Sequence, residues 1–170
     1  NGYRITSVSG KEQNSLFKAI GRPEDYQFRA YDRNSICINA ANYGVLPERE
    51  SILFEEDYGS YRTASSANEV IVNVWDWDPS WKVEMFEDGK ALSVSQMSGS
   101  YDPAFLIAYT IPRLLENNGV TWHSSKTNHL FKAAASSASS TVEIKVTDDE
   151  GRVYTRTMQR PLDFKVDNYK

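Results

Sequence analysis

At 170 residues the chain is long enough to bury roughly two-thirds of its unfolded surface, so one domain needs no disulfide or metal staple. A formal net charge of −4, with acidic and basic residues interleaved and no basic run, leaves no electrostatic footprint for nucleic acid. No apolar run approaches the roughly 20 residues of a membrane-spanning helix.

The single cysteine, Cys37, excludes an intrachain disulfide, and its neighbours Ile36 and Ile38 predict a buried structural thiol. The sequence carries no signal peptide and starts at Asn1 without an initiator methionine, so it is expected to be a piece of a longer polypeptide.

In chain order, Tyr3 to Val8 alternates as a strand, Ser9-Gly10-Lys11 turns, and Ser15 to Ile20 returns. Residues 1–20 thus read as a hairpin. Gly21 to Asp25 is a connector rich in breakers, and Tyr26 to Tyr31 is the next strand, with Gln27, Arg29 and Tyr31 on one side. A buried arginine is uncommon unless paired, so Arg29 belongs at an edge or beside a carboxylate. Residues 42–67 break the pattern with Gly44, Pro47 and two acidic clusters, the mark of a long loop.

The centre of the chain is Asn68 to Gly89. Val70, Val72 and Val74 alternate with Ile71, Asn73 and Trp75, and both faces carry large residues, which predicts a central strand covered on both sides. Asp78-Pro79 stops the ladder, because proline has no N–H and restricts the residue before it. Trp81, Val83 and Met85 then share one face of a second arm, which the reading makes the partner in a hairpin ending at Asp88-Gly89.

Lys90 to Met97 reads as a further strand, and Asp102 to Leu115 as a short helical segment that breaks near Pro112. His129 to Ala134 is a strand, and Thr141 to Thr147 alternates a buried against a wet face. Asp148 to Gly151 turns that strand back into Arg152 to Gln159. Seven to nine short strands separated by turn signals predict a mainly β fold. It is an antiparallel β-sandwich, immunoglobulin-like or related, with one short helical segment.

Candidate chemistry is sparse. The two histidines, His123 and His129, are poorly placed and poorly accompanied for zinc, and a structural role is the ordinary alternative. Asp148-Asp149-Glu150 offers clustered carboxylates to calcium but lacks the spacing of a calcium loop; an acidic turn is the plain reading. Asp76 and Asp78 form a carboxylate pair that suits acid–base work or, more simply, a capped turn. Trp75, Trp77, Trp81 and Trp122 with Tyr101 and Tyr109 offer a stacking platform, although strand tryptophans usually fill cores. If the valines line the core, Trp75 and Trp77 lie on the opposite face.

Asn73-Val74-Trp75-Asp76-Trp77-Asp78-Pro79-Ser80-Trp81-Lys82-Val83 resembles a signature of the C-terminal domain of bacterial calcineurin-like phosphoesterases. Gly21 to Asp32, the Asp102-Pro103 pair, His129-Leu130-Phe131 and Val146 to Tyr154 resemble further landmarks of that domain in the same order. The resemblance implies a noncatalytic β domain, residues 21–170, joined through the 1–20 hairpin to a metallophosphoesterase core on the same polypeptide. It also implies divalent metal ions in that core, none in this chain, and a periplasmic or cell-surface setting. The core's metal-binding loops have no counterpart here.

The residues expected to meet the core, or a ligand, are Asn73, Trp75, Trp77, Asp78, Trp81, Arg29 and His129. The argument for contact is that Trp75 and Asn73 lie opposite the valines; its rival is that a second sheet covers that face. A carbohydrate-binding module using exposed aromatics is the alternative function, with a glycan as ligand, and a carboxylate hydrolase is a third.

Overall fold

The computed structural model describes residues 2–9, 12–19, 25–44, 61–115 and 125–165. Most of the loop expected over residues 42–67 lies outside the described residues, as do Trp122 and His123. Near the start, β1 (Gly2–Ser9) and β2 (Glu12–Ala19) pair antiparallel as a two-stranded sheet of their own, and a single helical turn, α1 (Ala40–Tyr43), lies further along the chain.

Two four-stranded antiparallel sheets make the sandwich. One contains β3 (Phe28–Asp32), β4 (Glu69–Val74), β8 (Leu130–Ala134) and β7 (Ser95–Gln96), in that order. The other contains β10 (Val153–Met158), β9 (Val142–Thr147), β5 (Lys82–Glu87) and β6 (Lys90–Ala91). Alternation explains the layer between them. Val70, Val72 and Val74 meet Met85, Val142, Ile144 and Val146 in one buried cluster, with Phe28 and Phe131 filling the sides.

β4 is central, paired with β3 and β8, and its second face is buried too, as the large residues on both sides predict. The cover on that second face is helical. Ile71 and Tyr31 pack there with Ala104, Leu106, Ile107 and Ile111.

Four expectations need correction. β4 and β5 do not form a hairpin: they belong to different sheets. Asp76 takes a left-handed conformation with φ 55°, so the chain turns out of one sheet and crosses to the other before β5 begins. The strand expected over Lys90 to Met97 is likewise two short strands, β6 and β7, in opposite sheets.

The helical segment does not break at Pro112. It runs as α2 (Pro103–Phe105), a π-helical turn (Leu106–Thr110) and α3 (Ile111–Leu115), with the Ile111 N–H reaching back to the Leu106 carbonyl. A wider turn just before a proline relieves the clash its ring makes with the preceding turn, so the helix continues. Finally, Cys37 is only half-buried. Ile36 and Ile38 both point into the core, and alternation turns the residue between them outward.

Candidate functional site

Where β4 ends, Trp75 leaves the sheet into a partly open aromatic and cationic cluster. Tyr26 stacks on it at 6.2 Å between centroids and 29° between planes, and the Arg29 guanidinium lies 5.2 Å from the Trp75 ring centre. Arg29 Nε also donates to the Tyr26 hydroxyl at 3.3 Å. Burial works against the Arg29 charge, but Tyr31, Tyr26 and Asp102 more than offset it, and its pKa is raised above the ordinary arginine value. From the other sheet, Arg156 lies 4.2 Å over the Tyr26 ring. The edge position inferred for Arg29 is where it sits, on the end strand β3. Tyr26 and Arg156 carry no local signal of this role, because their meeting depends on two sheets ending side by side.

Asn73 goes elsewhere. It is 6% exposed, and its side-chain amide donates to Asp102 Oδ2 at 2.7 Å. The Tyr31 hydroxyl donates to Asp102 Oδ1 at 2.6 Å, and the same oxygen accepts the Ala104 N–H at 3.0 Å. Asp102 is thus both the N-cap of α2 and the pin holding that helix on the sheet. Burial and then Asp102 push the Tyr31 pKa well above its ordinary value, so this hydroxyl stays a donor. The face opposite the valines is therefore covered at Asn73, by the chain's own helical segment and not by a second sheet.

Trp77 does not share a face with Trp75, because the turn at Asp76 breaks the alternation. It packs edge-on against Phe131 at 5.3 Å and His129 at 6.4 Å, beside the core between the sheets. Trp81 packs on that core as well. The indole N–H groups of Trp75 and Trp77 are sealed from solvent without an acceptor among the described residues. Burial lowers the pKa of His129. Asp78 is exposed, and its Oδ1 accepts from the Ser80 N–H at 2.9 Å and the Ser80 hydroxyl at 2.7 Å, the capped turn that the Asp-Pro-Ser run suggests.

The acidic turn after β9 is also internal. Asp148 is buried and accepts from the Glu150 and Arg152 N–H groups, from Arg152 Nε at 2.6 Å and from the Tyr154 hydroxyl at 3.1 Å. With its lone pairs so engaged, it is a poor cation ligand. Tyr154 is pushed up to about 12 by burial and by that carboxylate. Asp32 caps the 3-10 turn after β3 and meets Arg160 at 3.0 Å, both side chains fully buried. Among the described residues no group of three His, Cys, Asp or Glu side chains could hold a metal ion.

The family model for the C terminal of calcineurin-like phosphoesterase matches residues 1–154. The chain belongs to this family. No curated protein and no solved structure matches it significantly. The landmarks of the calcineurin-like phosphoesterase C-terminal domain acquire physical roles here. Asp102-Pro103 starts the helix and pins it to β3 and β4. The Trp-Asp-Trp-Asp-Pro run carries the crossing between sheets, and Asp148 to Tyr154 locks the β9–β10 turn. Arg160 lies beyond the matched residues.

Proposed function

We propose that this chain is the noncatalytic C-terminal β domain of a calcineurin-like metallophosphoesterase, packing on the catalytic portion and shaping access to it. The observation that carries this reading is the fate of three buried or half-buried acids. Asp32, Asp102 and Asp148 are all engaged by donors of the domain itself. Hydrolysis of phosphate esters by bound metal ions needs clustered ligands to activate water and neutralise charge. The described residues do not fit such ions, and on this reading the divalent metals of the family's chemistry belong to a separate catalytic portion.

Trp75 supports a contact role. It is half-buried beside Arg29, and aromatic and arginine side chains are the usual anchors of protein interfaces. A sugar is served less well: Trp75 already carries Tyr26 and Arg29, and Trp77 is wedged against Phe131. The test is Trp75→Ala in the full-length polypeptide and in this chain alone, followed by limited proteolysis. Faster cleavage between the domains, beyond any loss of stability in the chain alone, is expected. Equal effects in the two contexts would sink the reading.

A further inference from the structure

The two sheets end side by side in edge strands, β3 in one and β10 in the other. An open groove of about 580 Å³ runs between them, with Tyr26, Arg29, Ile144, Arg156, Met158 and Leu162 in its walls. Its two charged lining residues are both arginines, in a chain whose formal net charge is −4.

Arg156 is held by stacking. Its guanidinium lies 4.2 Å over the Tyr26 ring and 5.6 Å from that of Phe28, and it makes no hydrogen bond or ion pair with the described residues. Its five N–H donors are therefore positioned but not used by the described residues. Tyr26 also accepts from Arg29, so one tyrosine sets both cations.

Edge strands present unpaired backbone groups, a template for an added strand. The plain reading is that the arginines only guard these edges against self-pairing. Guarding does not call for a guanidinium seated over an aromatic ring, nor for an apolar wall in which Leu162 is exposed in the same groove as the buried Ile144 and Met158. Such a wall beside a bidentate donor suits an extended segment with a carboxylate two residues from an apolar side chain, since alternate residues of a strand share a face.

We propose that this groove docks an extended acidic peptide segment, added as a strand along β10, with an Asp or Glu carboxylate on Arg156 and an apolar side chain against Met158 and Leu162. This goes beyond the packing role, since the partner is defined by its chemistry and not by its place in the parent polypeptide.

The test is an NMR titration of the isotopically labelled chain. Three probes are used: a capped pentapeptide of sequence threonine, glutamate, threonine, leucine, threonine; its glutamine counterpart; and acetate alone. Saturable binding of the acidic peptide is expected, with shifts at the β10 amides and at Arg156 Nε–H. Affinity should fall at least about tenfold for the glutamine peptide and for Arg156→Gln, because a charge-assisted hydrogen bond is lost. Leu162→Asp, at an exposed position, should weaken binding as much by placing a like charge against the ligand. No saturable binding, equal affinity for the glutamine peptide, or an Arg156→Gln variant that binds as the parent does would overturn the proposal. Acetate reproducing every shift would reduce the groove to a simple anion site and would overturn it too.

Discussion

Arg160 and Asp32 meet with both side chains fully buried, and neither was singled out by its sequence context. Asp32 also accepts the Asn34 and Leu162 N–H groups, while Arg160 donates to the Ser137 carbonyl, so the pair ties the segment after β10 back onto β3. Replacing one member leaves the other as an uncompensated buried charge. Arg160→Met should therefore cost about 3–5 kcal/mol in a urea melt. The double change Arg160→Met with Asp32→Leu should recover much of that loss.

His129 supplies a pH signature. Its folded pKa is lowered by burial, so in acid the unfolded chain binds the proton first. Stability from this residue is full above the ordinary histidine value of about 6.5 and falls as pH drops through it toward the lowered folded value. Thermal melts across that window should show the loss, and His129→Gln should flatten the dependence.

At the scale of elements, β4 is held from both faces by different means. The valine face is apolar packing, so Val72→Ala and Val74→Ala should each destabilise by about 1–3 kcal/mol through lost burial and the void left behind. The other face carries the Asp102 pin. Asp102→Ala removes the helix N-cap and orphans the buried Tyr31 hydroxyl and Asn73 amide, each worth about 1–3 kcal/mol when left unsatisfied. The same loss should undock α2 before the sandwich melts, seen as early hydrogen exchange from Leu106 to Ile111.

On the scale of the whole molecule, the chain by itself should not hydrolyse phosphate esters. Asp32, Asp102 and Asp148 are engaged internally, and the described residues form no metal cluster. Assays of p-nitrophenyl phosphate with manganese, iron or zinc should give no turnover that depends on residues of this chain. A point variant of the chain that abolished such turnover would contradict this.

Periodicity alone determined the alternating strands, because side-chain direction in a strand is set locally by the two-residue repeat. The valines of β4, the Val142-Ile144-Val146 face of β9 and the half-wet hairpin to β10 were all legible this way. The family was also legible, in the order of its landmarks. Which sheet each strand joins was not. A left-handed Asp76 and a two-residue β6 send the chain across the sandwich, and no alternation pattern records a change of layer. Tertiary structure likewise sent Asn73 and Trp75, adjacent on one predicted face, to different fates. Asn73 lies under the helix pinned by Asp102, while Trp75 sits past the strand's end, beside a guanidinium and a tyrosine. The groove between β3 and β10 has the same origin: it brings Arg29 and Arg156 onto one tyrosine only because two separate sheets end together. Contacts between residues so far apart in the chain are fixed by packing of the sheets, not by any local preference.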